Sequence, residues 1–376
     1  MGSSEGAISR IDQLVPGFAP YDAIGAHVLE LRRLLRREGF QSDIFGEVID
    51  SRLHAEARPY QEAPLVEDGR ILLYQMSTHS EMAGWLRRAA GGGQEVWADY
   101  HNITPARYFA RWEPDASTSM MAARRELAEL APVATRSMAD SRYNEEELVA
   151  AGYRSTATAP LLVDLERYHQ APDPTTYDRL RRRHDGGGAT WLFVGRIAPN
   201  KCQHDIIGAF ALYRKLYDPA ARLTLVGGVT SPRYLEAMQA LASELGVGEA
   251  VEHIDSLALP ELLAHFATAD VFVCLSEHEG FCVPVLEAFE LGVPVVAFAS
   301  SAIPETVGDA GLLVDTKDPL DVAEVVAGLL RDDTRRQNLV DAGRARASQW
   351  SLPLSSQRMI STVTGWLDGR YHLPAP

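Results

Sequence analysis

Short apolar runs of β type alternate with amphipathic helical stretches along this chain, and the alternation starts twice. A helix between two strands returns the chain to the end where the first strand began, so this rhythm gives parallel sheets with helices on both faces. The predicted strands of the first half lie at 8–15, 43–48, 70–74, 95–99 and 134–139. Those of the second half lie at 190–195, 222–227, 250–254, 270–275 and 293–298. The run at 8–15 is polar for a buried parallel strand and predicts an irregular edge to the first sheet. Residues 163–188 hold two prolines, a basic stretch at 179–183 and three consecutive glycines, a composition suited to a linker. The fold class expected is α/β, with two Rossmann-like doubly wound domains at 1–170 and 186–352. They are expected to face each other across a cleft, where ligands bind.

Composition narrows the function. The 376 residues suffice for two cores. A net charge of −15 argues against a nucleic-acid scaffold, which needs an excess of Lys and Arg. No apolar run approaches the roughly 18 to 20 residues of a membrane span, and the start of the chain lacks the pattern of a secretion signal. A soluble, cytoplasmic protein without stable membrane insertion is expected. Cys202, Cys274 and Cys282 fit neither a disulfide framework nor a zinc site and are expected to be free thiols. The lysines are Lys201, Lys215 and Lys317 alone.

Two motifs follow predicted strands. In the first, Ser276-Glu277-His278-Glu279-Gly280-Phe281-Cys282-Val283-Pro284 leads into a helix carrying Glu287. Pro284 suits the first helical turn, so the amides of Phe281 to Val283 would point outward at the positive end of the helix dipole. Glu279 and Glu287 either face one ligand there or are acids favoured at any helix start. In the second, Gly195-Arg196-Ile197-Ala198-Pro199-Asn200-Lys201 places two cations five apart, able to clamp a diphosphate and neutralise a leaving group without a metal. The alternative is a pair of solvated loop cations.

Gly195-Arg196 with Lys201 and Glu279-x7-Glu287 resembles the retaining GT-B glycosyltransferases of family four, over most of the chain. The resemblance implies that Arg196 and Lys201 bind the donor phosphates. It further implies that Glu279 lies at the transferred sugar, that Glu287 holds the ribose, and that the amides of Gly280, Phe281, Cys282 and Val283 contact sugar and phosphate. It makes 186–352 the nucleotide-sugar domain and 1–170 the acceptor side. The helical pattern at 352–367 would cross back, so that residues 353–376 pack on the first domain. Gly17, in Pro16-Gly17-Phe18, would be the loop glycine near the donor phosphate, although Pro-Gly is also an ordinary turn. His101, in Tyr100-His101-Asn102-Ile103, would touch the donor hexose, or else simply cap a strand end. Asn102, Tyr21 and His79, the last two in variable loops at 21–24 and 75–79, are acceptor-side candidates. Where many relatives carry a glycine beside the nucleotide base this chain has Asp255, which leaves the base open.

A metal-independent, retaining hexosyltransferase is therefore expected, with Glu279, His101, Arg196 and Lys201 in catalytic positions, no cofactor and no metal. No Asp-x-Asp motif is present. UDP-hexose is slightly preferred over GDP-hexose on family usage, and a small soluble acceptor over a lipid-linked or polysaccharide glycan. The helix at 23–37 carries Arg32, Arg33, Arg36 and Arg37 on one face, a membrane-docking surface in some relatives and more often a solvated face. A dehydrogenase fails for want of G-x-G-x-x-G, and a pyridoxal phosphate enzyme for want of a suitably placed lysine. A non-catalytic nucleotide-sugar-binding homologue remains the alternative outside enzymes.

Overall fold

Both faces of each sheet are covered by helices, so the central strands are buried at consecutive positions rather than at alternate ones. In the computed structural model, which describes residues 8–20 and 22–369, β4 (Arg70–Met76) is buried at all seven positions. The chain divides into two compact units. The first comprises the described residues up to Ala106, then Asp115–Val163, and those from Trp350 on; the second comprises Arg107–Pro114 and Asp164–Gln349.

The first unit is built from β1 (Arg10–Phe18), α1 (Ala23–Arg37), β2 (Ile44–Ile49), β3 (Arg58–Pro59), β4, α2 (Met82–Gly91), β5 (Glu95–Tyr100), α3 (Pro114–Leu130), β6 (Arg136–Ala139), α4 (Arg142–Ala150) and β7 (Thr156–Thr158). Its sheet runs β3-β2-β1-β4-β5-β6-β7, with every pair parallel. The polar first run is therefore not an edge. It forms β1, the strand at which the order reverses, and its polar side chains are satisfied inside. Asp12 accepts from Arg70 Nε (2.8 Å), Arg10 Nε (2.7 Å) and the Asp43 amide (2.8 Å). Gln13 donates to the Val28 carbonyl (2.9 Å) and accepts from Gln75 Nε2 (3.1 Å). A buried ion pair with additional hydrogen bonds is what permits a carboxylate in a central strand.

The second unit holds α5 (Pro174–Asp185), β8 (Thr190–Val194), α6 (Gln203–Leu216), β9 (Arg222–Val226), α7 (Pro232–Glu244), β10 (Val251–Ile254), α8 (Leu259–Ala267), β11 (Val271–Cys274), α9 (Val283–Glu290), β12 (Val295–Phe298), α10 (Ile303–Val307), β13 (Leu312–Val314), α11 (Pro319–Arg331) and α12 (Asp333–Ser348). Its parallel order is β10-β9-β8-β11-β12-β13. Trp191, Phe193, Phe210 and Tyr213 fill its core between β8 and α6. The stretch with linker composition is not an open linker, because α5 occupies twelve of its residues. Asp173 caps that helix by accepting from the Thr176 amide (2.7 Å), with Pro174 in its first turn.

The last helix, α13 (Leu352–Leu367), belongs to the first unit. Trp366 meets Trp97 edge to face, with ring centroids 5.1 Å apart, and Met359 and Val363 join the same core. Residues 370–376 lie outside the described residues.

Candidate active site

In an open sheet of this order, ligands bind beyond the carboxyl ends of the strands where the order reverses. In the second unit those strands are β8 and β11, and the two sequence motifs follow them directly. After β8 the backbone turns at Gly195 (φ +151) beside Gly227 (φ +150). A Cβ on Gly227 would lie 2.1 Å from the Gly195 carbonyl oxygen, so only glycine lets these two loops touch.

The loop then forms a short turn of 3₁₀ helix, Pro199–Lys201, followed by Cys202 in a left-handed conformation (φ +52). Two reciprocal bonds stitch this turn to the loop after β11: the Glu277 amide donates to the Asn200 carbonyl (2.9 Å), and Asn200 Nδ2 donates to the His278 carbonyl (3.1 Å). The stitching delivers Lys201 to Glu279, and Nζ donates to both carboxylate oxygens at 2.6 and 2.7 Å. Glu279 is nearly buried, and Lys201 retains partial exposure. Arg196 is exposed, and its guanidinium has no partner among the described residues.

Other segments brace the Glu279 loop. Ser301 Oγ accepts from the Glu279 amide (2.8 Å), Ser300 Oγ donates to the Ser276 carbonyl (2.6 Å), and Thr306 Oγ1 donates to the Phe281 carbonyl. Cys282 caps α9 in a left-handed conformation (φ +75), with a proline in the first turn of the helix. Its thiol is buried 3.9 Å from that of Cys274, so the backbone of Cys282, not its side chain, is what the loop offers. All three cysteines are free and buried. Glu287 lies within α9, and its carboxylate accepts from the Tyr168 hydroxyl. Burial pushes the Glu287 carboxyl above its ordinary value. Lys317 donates to Asp205 (2.6 Å) and to Glu277; although burial opposes the charge, these two carboxylates outweigh it and hold the amine protonated.

The first unit carries a different cluster. His101 follows β5 and is buried, with Nε2 donating to Gln75 Oε1 at 2.5 Å. Asp99 lies 3.7 Å from Nε2, and Asp140 lies 3.6 Å from Nδ1. Burial alone would lower the pKa of His101, but Asp99 and Asp140 outweigh it and the net shift is upward. His27 accepts the Leu162 amide on Nδ1 (3.0 Å), so its Nε2 donates to Asp99 (3.0 Å).

Some sequence-predicted residues lie elsewhere than expected. Gly17 is not in a loop; it sits within β1, paired in register with Val48, and space is open around it. Gln75 and Met76 belong to β4, not to a variable loop. His79 is exposed and bonded to Glu126 (2.6 Å). Asn102 (φ +77) is buried and spends its amide on Asn144 (2.7 Å) and Glu147 (3.4 Å). Tyr21 lies outside the described residues. Tyr168, Ser301, Thr306 and Lys317 were missed, because each reaches the site from a remote segment with no local motif.

The model of the family described as Glycosyl transferases group 1 matches residues 177–346. A GDP-mannose-dependent alpha-(1-6)-phosphatidylinositol monomannoside mannosyltransferase of Mycobacterium tuberculosis is 30% identical over 90% of this chain and 79% of its own length. The chain belongs to the group 1 glycosyltransferases. It is an enzyme of the GT-B fold, and it transfers a sugar from a nucleotide sugar. Another relative of this glycosyltransferase, the D-inositol 3-phosphate glycosyltransferase of Geodermatophilus obscurus, is 26% identical over 95% of the chain and 87% of its own length. Among solved structures, the Anabaena protein HepE in complex with UDP-glucose matches with a TM-score of 0.73 at 19% identity, over 95% of this chain and 99% of its own. Sucrose-phosphate synthase from Thermosynechococcus elongatus matches at 0.75 and 18%, over 96% of this chain and 100% of its own. These two likenesses concern the fold. No helix among the described residues is long and apolar enough to cross a membrane.

Proposed function

We propose that the glycosyltransferase takes a GDP-hexose and transfers the hexose with retention, without a metal, to a polyhydroxylated small molecule. The observation that carries the donor site is the Lys201–Glu279 pair at the head of α9. Lys201 and exposed Arg196 would take the diphosphate and offset its charge as it leaves, Glu279 would meet the transferred sugar, and Glu287 would accept from the ribose hydroxyls. The backbone of Gly280 to Val283 would complete the cradle. The resemblance assigns His101 to the hexose, and Asp99 and Asp140 raise its pKa against its burial. Retention rests on the resemblance, with the acceptor attacking from the face the diphosphate leaves.

Asp255 turns the base preference from UDP to GDP. It follows β10, and Oδ1 lies 3.5 Å from a Cβ built on Gly228, at the carboxyl ends of β9 and β10. A carboxylate accepts two parallel hydrogen bonds from the N1–H and exocyclic amine of guanine. Uracil offers a single N–H flanked by two carbonyl oxygens, which a carboxylate repels. The mycobacterial relative is named for GDP-mannose, in agreement. The cationic face of α1 supports a soluble acceptor, because Arg32 pairs with Glu56, Arg33 with Glu30 and Arg36 with Asp43. A lipid-linked acceptor is the second reading, favoured by the phosphatidylinositol mannoside in that relative's name.

Calorimetry with GDP and UDP, on the parent and on Asp255→Asn, tests the base. GDP should bind the parent at least tenfold tighter than UDP, a difference of about 1.4 kcal/mol, and the substitution should narrow the gap. UDP binding more tightly, or a gap that Asp255→Asn leaves unchanged, removes Asp255 from base recognition. Turnover with a panel of GDP-hexoses and free polyols, inositol 3-phosphate included, run with and without chelator, then tests acceptor and metal independence.

A further inference from the structure

A cavity of about 610 Å³ opens at the other end of the second unit's sheet. Its walls are the segments leading into three adjacent strands, with Gly187 before β8, Arg222 at the first position of β9 and Ala250 before β10. Arg214, from the last turn of α6, and Arg183, from the last turn of α5, complete it. Five-residue β9 puts about 16 Å of sheet between this cavity and the Gly227 turn, at about 3.3 Å per residue. One ligand group cannot serve both ends.

The charges lining this cavity do not cancel. Three arginines face a single lining glutamate, Glu249, in a protein of net charge −15. The nearby Asp218 turns its two oxygens to the Ala189 and Ala220 amides (2.6 and 3.1 Å) and, among the described residues, makes no ion pair with these arginines. Two of the arginines have structural work. Arg183 pairs with Glu252 (3.0 Å), and Arg214 donates to the Pro219 carbonyl from Nε (3.2 Å) and Nη2, where a cation also suits a helix carboxyl end. Arg222 has no such work; its guanidinium is exposed and has no partner among the described residues. The wall is fixed by close backbone contact, since a Cβ on Gly188 (φ +97) would come within 2.4 Å of Ala220 backbone atoms.

We propose that this cavity is a second anion site, at which Arg222, with Arg183 and Arg214, binds the phosphate group of a ligand other than the sugar donor. A guanidinium left unpaired beside two others, in a depression that Ser243 also lines, matches the planar, multidentate recognition of phosphate. The phosphate belongs either to a soluble phosphorylated compound or to a phospholipid headgroup.

The test uses pyrophosphate on the full chain carrying Arg196→Ala and Lys201→Ala, which lacks the donor's phosphate clamp. This makes the result independent of the donor assignment. One pyrophosphate per chain should still bind, at least tenfold more weakly when Arg222→Gln is added, with Arg183→Gln as a second variant should the first lose its thermal transition. Flotation with vesicles of phosphatidylcholine containing phosphatidylglycerol separates the sources. Attachment that Arg222→Gln abolishes assigns a headgroup, and pyrophosphate binding without attachment assigns a soluble ligand. No pyrophosphate binding in the clampless protein, or equal binding with and without Arg222, overturns the proposal.

Discussion

The two units share one strand order up to their sixth strand yet hold their candidate functional groups in opposite ways. In the second unit, the groups stand on loops after β8 and β11 and are aimed by backbone stitching, with Arg196 left exposed. In the first, His101 is buried among Asp99, Asp140 and Gln75, and the two aspartates raise its pKa against that burial. A group that must take and release a charged diphosphate works from a loop whose cations water can reach. A buried group takes its proton affinity from the groups enclosed with it, here two carboxylates acting against desolvation.

The contrast predicts its largest effect at Lys201. Lys201→Gln keeps a donor to Glu279 but removes the charge, and kcat/KM should fall about 10²- to 10³-fold, the usual range for one lost electrostatic stabiliser. Steady-state kinetics with the nucleotide sugar would show this as a loss in kcat. A loss confined to KM would mean that Lys201 only helps binding, and the cation for the leaving group must then be Arg196 alone.

A smaller effect should follow from forcing the two turns apart. Gly227→Ala places a methyl 2.1 Å from the Gly195 carbonyl oxygen and 3.2 Å from the Arg196 amide, at a φ of +150. The strain should cost about 1–3 kcal/mol, read by urea unfolding, and should weaken nucleotide binding as Arg196 shifts. Parental stability together with parental affinity would show that the turn yields freely, and that backbone rigidity does not aim this site.

How much of this was legible follows from the same contrast. Glu279, Glu287, Arg196 and Lys201 stand in short windows behind apolar strands, so their positions after β8 and β11 were legible, while the roles given to them came from the resemblance. What holds them did not show, because Ser301, Thr306 and Lys317 act from beyond the next strand, and Tyr168 acts 119 residues from Glu287. In the first unit, Asp12 and Gln13 made β1 look like an edge because their partners, Arg70 and Gln75, come from β4. Nothing local ties His27 to Asp99, 72 residues away. The strands β3, β7 and β13 have two or three residues each, too few for a pattern. Sequence windows reveal sites carried by one loop; sites assembled by burial need the fold.

The smallest effect concerns the buried histidine. A histidine whose folded pKa is raised contributes stability that is fully present below its unfolded value, near 6.5, and is lost as pH rises through the higher folded value. The groups facing it are Asp99, Asp140 and the more distant Asp22, with His27 edge-on at 5.2 Å. Thermal unfolding of the parent should therefore weaken above pH 6.5, and His101→Gln should lower the midpoint most at the acid end of that range. A difference of about 2–4 °C that shrinks with rising pH corresponds to about 1 kcal/mol in a unit of this size. If the parent and the variant keep a constant separation across the range, His101 is neutral throughout. Burial then wins over the two carboxylates, and the first unit's cluster is a hydrogen-bonded core rather than a held charge.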